Sequence, residues 1–166
     1  MKAAVDKYSR FVTAVNIIYK WAAVALLAAI SVALFLQIIT RYVFNSSLLG
    51  SEEFALYAFI WMSMLGGSLA VGNSSHSVVS ILNDALPEKG KEIHNFVVDL
   101  IILAFAMLLI IKGIEMAIVS AGQITPAIHL PKPAVYASLV VSGVGIVLNS
   151  IRNLLTHRQC GEEVES

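Results

Sequence analysis

The sequence predicts an all-α integral membrane protein. It has four long, tilted transmembrane helices, both termini on the cytoplasmic side, and a short interfacial periplasmic segment between helices 1 and 2. Three observations predict it. Of 166 residues, 58% are hydrophobic and 13% charged, with a mean hydropathy of +0.81, whereas a soluble domain carries about 25% charged residues. Stretches free of Asp, Glu, Lys and Arg run from Trp21 to Thr40, Phe54 to Asn83 and Pro133 to Ile151, and Phe96 to Ile111 carries Asp99 alone. A helix needs about 20 apolar residues to cross the hydrocarbon core, so these are four spans. With the N-terminus inside, Lys2, Lys7, Arg10, Lys20, Lys89, Lys91, Arg152 and Arg158 collect on one side, while Arg41, Lys112 and Lys132 fall on the other. That asymmetry is the positive-inside pattern.

The elements follow in order. Helix 1, about 6–42, begins near Asp6 and ends at Arg41; its run is too long and too far from the N-terminus for a signal h-region, so it is a retained span. Helix 2, about 51–73, starts with Ser51 as a good N-cap and Glu52 and Glu53 in a first turn that favours negative charge. Helix 3, about 87–121, opens at Pro87, has no further proline before Pro126, and has Gly122 as a helix-ending glycine. A helix of roughly 34 residues would be about 50 Å long, so it must tilt or protrude. The connection "QITPAIHLPKPAVY" holds three prolines and reads as an irregular loop. Helix 4, about 133–156, completes a single membrane domain over residues 1–158, and 159–166 reads as a flexible acidic tail.

Helices associate in lipid largely through close packing of small residues. In helix 4, Ala134, Ser138, Ser142, Gly145 and Asn149 fall within an arc of about 80°, which predicts a face packed on protein. Ala25, Ala29 and Ala33 repeat every four residues in helix 1, and Ser63 and Gly67, with Gly66 and Ala70, do so in helix 2. Glu92, Asn95, Asp99, Ala106 and Gly113 align within roughly 60° on helix 3. Each stripe fits either a self-contained bundle or a second subunit.

Little points to catalysis. Cys160 is the only cysteine, which excludes an internal disulfide and a cysteine metal site. No phosphate loop, nucleophile elbow or metal-ligand cluster is present, and no cofactor or nucleic-acid partner is expected. Asp99 is the one acid inside a span; intramembrane carboxylates are functional candidates, yet it lies near the membrane entry, where a structural hydrogen bond serves equally well. Four histidines raise the alternative of a haem-binding membrane anchor for a respiratory oxidoreductase, but His94 points away from the helix 3 seam, where paired axial ligands should face inward. A small autonomous exporter is a further class, although helices 1 and 4 lack the broken helices or midplane polar clusters of a carrier.

The segment "RYVFNSSLLGSEEFALYAFIWMSMLGGSLAVGNSSHSVV" is unusual for a helix connection. Arg41, Tyr42, Phe44 and Asn45 are followed by Ser51, Glu52 and Glu53, then Trp61, Gly66 and His76. In this order and spacing it resembles the small membrane (Q-type) subunit of tripartite ATP-independent periplasmic (TRAP) transporters. The family often has a proline in the fourth span, where this chain has Val140 and Val141. The resemblance implies an inner-membrane scaffold that supports a large (M-type) elevator subunit. It also implies a periplasmic binding protein that delivers an organic acid, of the sialic acid or C4-dicarboxylate type, for sodium-coupled import. Substrate and sodium would then be bound by the large subunit, and the contributions of this chain would be to partner surfaces, lipid contact and structure. Arg41, Asn45, Glu52, Glu53, Trp61, Asp99, Ser138, Ser142 and Gly145 are the candidates for that role, with Arg41 and one glutamate as an ion pair.

Overall fold

The structure, a computed structural model, describes residues 2–43, 50–73 and 88–164, with side chains within 5–43, 50–73 and 96–155. Among the described residues there are four helices: α1 (Lys2–Val43), α2 (Ser51–Asn73), α3 (Glu88–Val119) and α4 (Pro133–Val164). All four are long and apolar enough to cross a membrane.

α1 contains neither glycine nor proline over its 42 residues, so nothing in it interrupts the hydrogen-bond ladder. It begins earlier than the expected residue 6. α4 continues past the expected end at 156, and residues 159–164, expected as a flexible tail, are helical; no proline lies between Ile151 and Val164, and Gly161 is the weakest helix former there. α2 is capped differently from expectation. The amide of Phe54 bonds to the carbonyl of Gly50 at 2.9 Å, and Gly50 has φ of 103°. The cap residue accepts the first helical bond while standing outside helical φ, so Gly50 holds that place and Ser51 is the first helical residue. A Cβ on Gly50 would also lie 2.9 Å from Ile128 Cγ2, and both conditions select glycine.

The helices do not form a closed square. α1 crosses the α2–α4 pair diagonally. Leu26 and Ile30 pack with Ala55, Ala58 and Met62 of α2 toward the end that carries the 119–133 connection, called here the hairpin end. Tyr8, Asn16 and Tyr19 reach α4 toward the end that carries the chain termini. α4 lies between α2 on one side and α3 on the other. Of its span, 39% is buried, against 11 to 17% in the other three, which makes it the central helix.

α3 attaches along one face, to α4. Asp99 and Ala106 are buried, and a Cβ on Gly113 would meet Val140 and Leu139 of α4 at 3.0 and 3.1 Å. Gly143 of α4 answers from the other side, where a Cβ would lie 3.2 Å from the Ala106 carbonyl. Ser150 Oγ donates to the Asp99 carbonyl at 3.1 Å. These are the small and polar positions aligned in the sequence, except that the side chains of Glu92 and Asn95 lie outside those described.

The connection from α3 to α4 is ordered by its own bonds. Gly122, at φ of 88°, turns the chain out of α3. Thr125 N donates to Leu130 O at 2.9 Å, Lys132 N to Gln123 O at 3.0 Å, and Leu130 N to Thr125 Oγ1 at 2.9 Å. His129 takes a left-handed φ of 54° at the tip.

Candidate functional site

The most concentrated polarity lies along one face of α4. Ser138, Ser142, Gly145, Asn149 and Asn153 recur every three or four residues, the spacing of one helical face, and all are buried. Ser138 Oγ donates to the Val135 carbonyl of its own helix at 2.6 Å. Ser142 Oγ donates to Met64 O of α2 at 2.6 Å.

Asn149 is fully buried and joins three helices. Its Nδ2 donates to Asn16 Oδ1 of α1 at 3.0 Å and to Gly145 O at 3.0 Å, with a longer approach to Ser68 O of α2 at 3.3 Å. Asn16 Nδ2 returns a bond to Asn149 Oδ1 at 2.8 Å. The reciprocal amide pair fixes register, because sliding either helix by one turn would break both bonds together. Gly72 leaves it room: a Cβ there would lie 2.7 Å from Asn149 Oδ1.

The end of α2 is capped by the same face. Arg152 Nη2 donates to Gly72 O at 2.7 Å and Asn153 Nδ2 to Val71 O at 3.4 Å. These carbonyls belong to the last turn, which has no partners within its own helix, and a guanidinium there also suits the helix dipole. From α1, Tyr8 OH donates to Leu148 O at 3.0 Å and Tyr19 OH to Val141 O at 2.8 Å.

A second polar group sits at the hairpin end. Gln37 Nε2 of α1 donates to Glu52 Oε1 at 2.7 Å. Glu53 Oε2 accepts the backbone amides of Ala127 and Ile128, each at 2.9 Å, and Tyr57 OH donates to its other oxygen at 3.3 Å. Two successive N–H groups on one carboxylate oxygen form a small anion-holding nest. Trp61 Nε1 donates to Ala134 O at 3.1 Å.

The expected pairing of Arg41 with a glutamate is not formed. Arg41 is exposed at the end of α1, and among the described residues the one ion pair is Lys112 with Glu115 at 2.7 Å. Gln37 occupies Glu52 and the loop amides occupy Glu53, so both carboxylates have nearer donors. Asn45 lies outside the described residues, as does most of the interfacial segment. His76 is likewise outside them.

The helix 2 stripe also departs from a self-contained bundle. Ser63, Gly67 and Ala70 are exposed, and a Cβ on Gly66 or Gly67 would meet nothing within 4 Å. The buried positions of α2 are Ala55, Ala58, Leu65, Ser68 and Gly72, a different face. Of the helix 1 alanines, Ala29 and Ala33 are half-buried and Ala25 is exposed.

Asn16, Tyr8, Tyr19, Gln37 and Arg152 were not among the sequence candidates. For Tyr8, Asn16 and Tyr19 the one signal is spacing: Val5, Tyr8, Val12, Asn16 and Tyr19 recur at three and four residues on α1, an extension of the apolar face that admits a single amide.

Chemically, this architecture joins helices. The polar atoms of Ser142, Asn149, Ser150 and Asn153 are directed at other helices of the same chain, and Asp99 is buried on the α4-facing side of α3.

Comparison with known proteins gives a consistent result. A family model described as "Tripartite ATP-independent periplasmic transporters, DctQ component" matches residues 30–160. A TRAP transporter small permease protein of Haemophilus influenzae is 30% identical over 133 residues, covering 80% of this chain and 83% of its own. The sialic acid TRAP transporter small permease protein SiaQ of Vibrio cholerae is 29% identical over 140 residues, covering 84% and 81%. The sialic acid TRAP transporter permease protein SiaT of Haemophilus influenzae is 36% identical over 101 residues, which are 61% of this chain and 16% of that much longer one.

Proposed function

Because this chain belongs to the DctQ-component family of tripartite ATP-independent periplasmic transporters and is therefore a multi-pass inner-membrane small permease subunit, not an enzyme, we propose that it is the scaffold of a sodium-coupled organic-acid importer. It holds a large elevator subunit in place and does not carry the substrate. A periplasmic binding protein delivers the organic acid to that assembly. Sialic acid and C4-dicarboxylates are the proposed substrate class, since relatives are named for sialic acid and for C4-dicarboxylate transport.

The observation that carries the scaffold reading is the use of polarity in α4. Ser142, Asn149 and Asn153 tie α4 to α1 and α2, and Ser150 ties it to α3. A carrier keeps polar groups available to a moving substrate at the midplane; here they bind the chain to itself. The shared region in SiaT, where it is a fraction of one long permease, supports residence beside a larger transport unit.

The exposed Ser63 and Gly67, with Gly66, form the proposed seam for a helix of the large subunit, since small residues let backbones approach closely in lipid. Gly67→Leu should leave the thermal stability of the isolated chain unchanged, because its Cβ has open space, while reducing co-purification of the large subunit. Equal recovery of the large subunit would place the seam elsewhere.

The hairpin end is proposed to face the periplasm, from the basic asymmetry of the sequence. In a Cys160→Ser background, a cysteine at Gln123 should react with an impermeant thiol reagent in intact cells and one at Ser9 should not. The reverse pattern would invert the topology.

The function is tested by reconstitution. Sodium-gradient uptake of a sialate or a C4-dicarboxylate should require this chain, the large subunit and the loaded binding protein together. Uptake by this chain alone, or undiminished uptake without it, would overturn the scaffold reading.

A further inference from the structure

Near the hairpin end, α1, α2, the 119–133 connection and α4 surround an open-sided groove of about 160 Å³, lined by Leu26, Phe54, Tyr57, Trp61, Leu130 and Ala134, with Ala58 and Val135 completing its walls. Two of these side chains carry polar tips, and both tips are engaged at the rim: Tyr57 OH on Glu53 and Trp61 Nε1 on the Ala134 carbonyl. What remains toward the groove is hydrocarbon and aromatic face.

The groove is held open by bonds already described. Leu130 is fixed by the Thr125 bonds, and the loop is fastened to α2 through Glu53. Its α2 wall runs from Phe54 to Trp61, within about 15 Å of the first residue of α2 at 1.5 Å per residue, so it starts at the membrane surface and enters one leaflet. A void against apolar walls forfeits dispersion contacts, and lipid hydrocarbon is the medium that surrounds the spans.

A cation stands between two of the lining residues in the chain. Lys132 lies two positions from both Leu130 and Ala134, and its Nζ is engaged in one exposed contact, to the neutral Gln123 Oε1 at 3.0 Å. A phosphate oxygen is a stronger partner for an ammonium than a neutral amide. An apolar slot entering a leaflet, with a lysine close in the chain to two of its lining residues, matches the two ends of one molecule. We infer that this groove is a phospholipid site, in which an acyl chain of the leaflet at the hairpin end lies against Trp61 and the headgroup phosphate is held by Lys132.

Trp61 is the reporter. In a Trp21→Phe background of the full chain, reconstituted with its large subunit in bilayers where a minority of the phospholipid carries brominated acyl chains, Trp61 fluorescence should be quenched more than random exchange of surrounding lipid predicts. Lys132→Gln should remove that excess by losing the phosphate contact. Ala134→Leu should remove it separately by filling the groove, with Lys132 intact, and circular dichroism should show unchanged helix content in both variants. Quenching at the random level in the parent protein would overturn the inference. So would excess quenching by the isolated chain that vanishes on assembly with the large subunit, since a protein side chain would then be the occupant.

Discussion

Gly145→Ala is expected to destabilise the protein by about 1 to 3 kcal/mol, the range for overpacking a filled interior. At position 145 a Cβ would overlap Ser68 Oγ of α2 and the ring of Tyr19 of α1. It cannot escape by rotation, because a Cβ has no rotamer. Either α4 withdraws from α2, stretching the bond from Ser142 to Met64 O and the contact of Asn149 with Ser68 O, or α1 is displaced and the Tyr19 bond to Val141 O is lost. Ser68 offers a discriminating control. Its hydroxyl is fully buried and, among the described residues, has no hydrogen-bond partner, so Ser68→Gly in the Gly145→Ala chain should restore part of the stability by removing the atom that is struck. Thermal unfolding of the four variants in one detergent supplies the double-mutant cycle. Additive losses, with no rescue, would show that the strain falls on Tyr19 instead.

Glu53→Ala should release the 119–133 connection while leaving the four helices in place. The carboxylate holds two backbone amides at 2.9 Å, and a hydrogen bond to a charged group contributes about 1.5 to 3 kcal/mol, reduced here by partial exposure. Without it, Ala127 and Ile128 point amides at nothing on α2, and the loop keeps only its internal bonds. Hydrogen exchange should show both amides protected in the parent and exchanging at near-loop rates in the variant, with the α2 amides unaffected. Retained protection at Ala127 and Ile128 would mean that the bonds between Thr125 and Leu130 suffice to order the loop.

The spans were legible in the sequence because hydropathy and length are local properties, and the three charge-free runs, with a fourth broken by Asp99 alone, fall within the four helices and, for the second, its C-terminal flank. The α4 face was legible for a related reason: small and polar residues at helical spacing in a span have few uses besides packing. The hairpin end was less so. Arg41 and the two glutamates suggested an ion pair by sign alone, but the carboxylates went to Gln37, 15 residues before Glu52, and to loop amides 74 and 75 residues after Glu53. No periodicity reports which backbone amide will pass near a side chain. The pairing of Asn16 with Asn149 spans 133 residues and is hidden for the same cause, since a single amide on an apolar face is uninformative until its partner is known. The stripe on α2 shows the converse. Its spacing was visible, but spacing cannot tell a helix of the same chain from lipid or from another protein, and Gly66 and Gly67 face away from the bundle.

The central place of α4 has a consequence for biogenesis. The ribosome delivers α1 and α2 first, and this hairpin can close at once through Ile30, Ala55 and Ala58. α3 emerges next into a membrane where its packing partner does not yet exist, because its packed face fits α4. Completion therefore waits for the last span to be released, and a nascent or truncated chain ending before Pro133 would leave an inserted but unattached helix carrying the otherwise buried Asp99. The order in which the spans are made therefore runs against the order in which they can pack, and the last helix is the one that joins the other three.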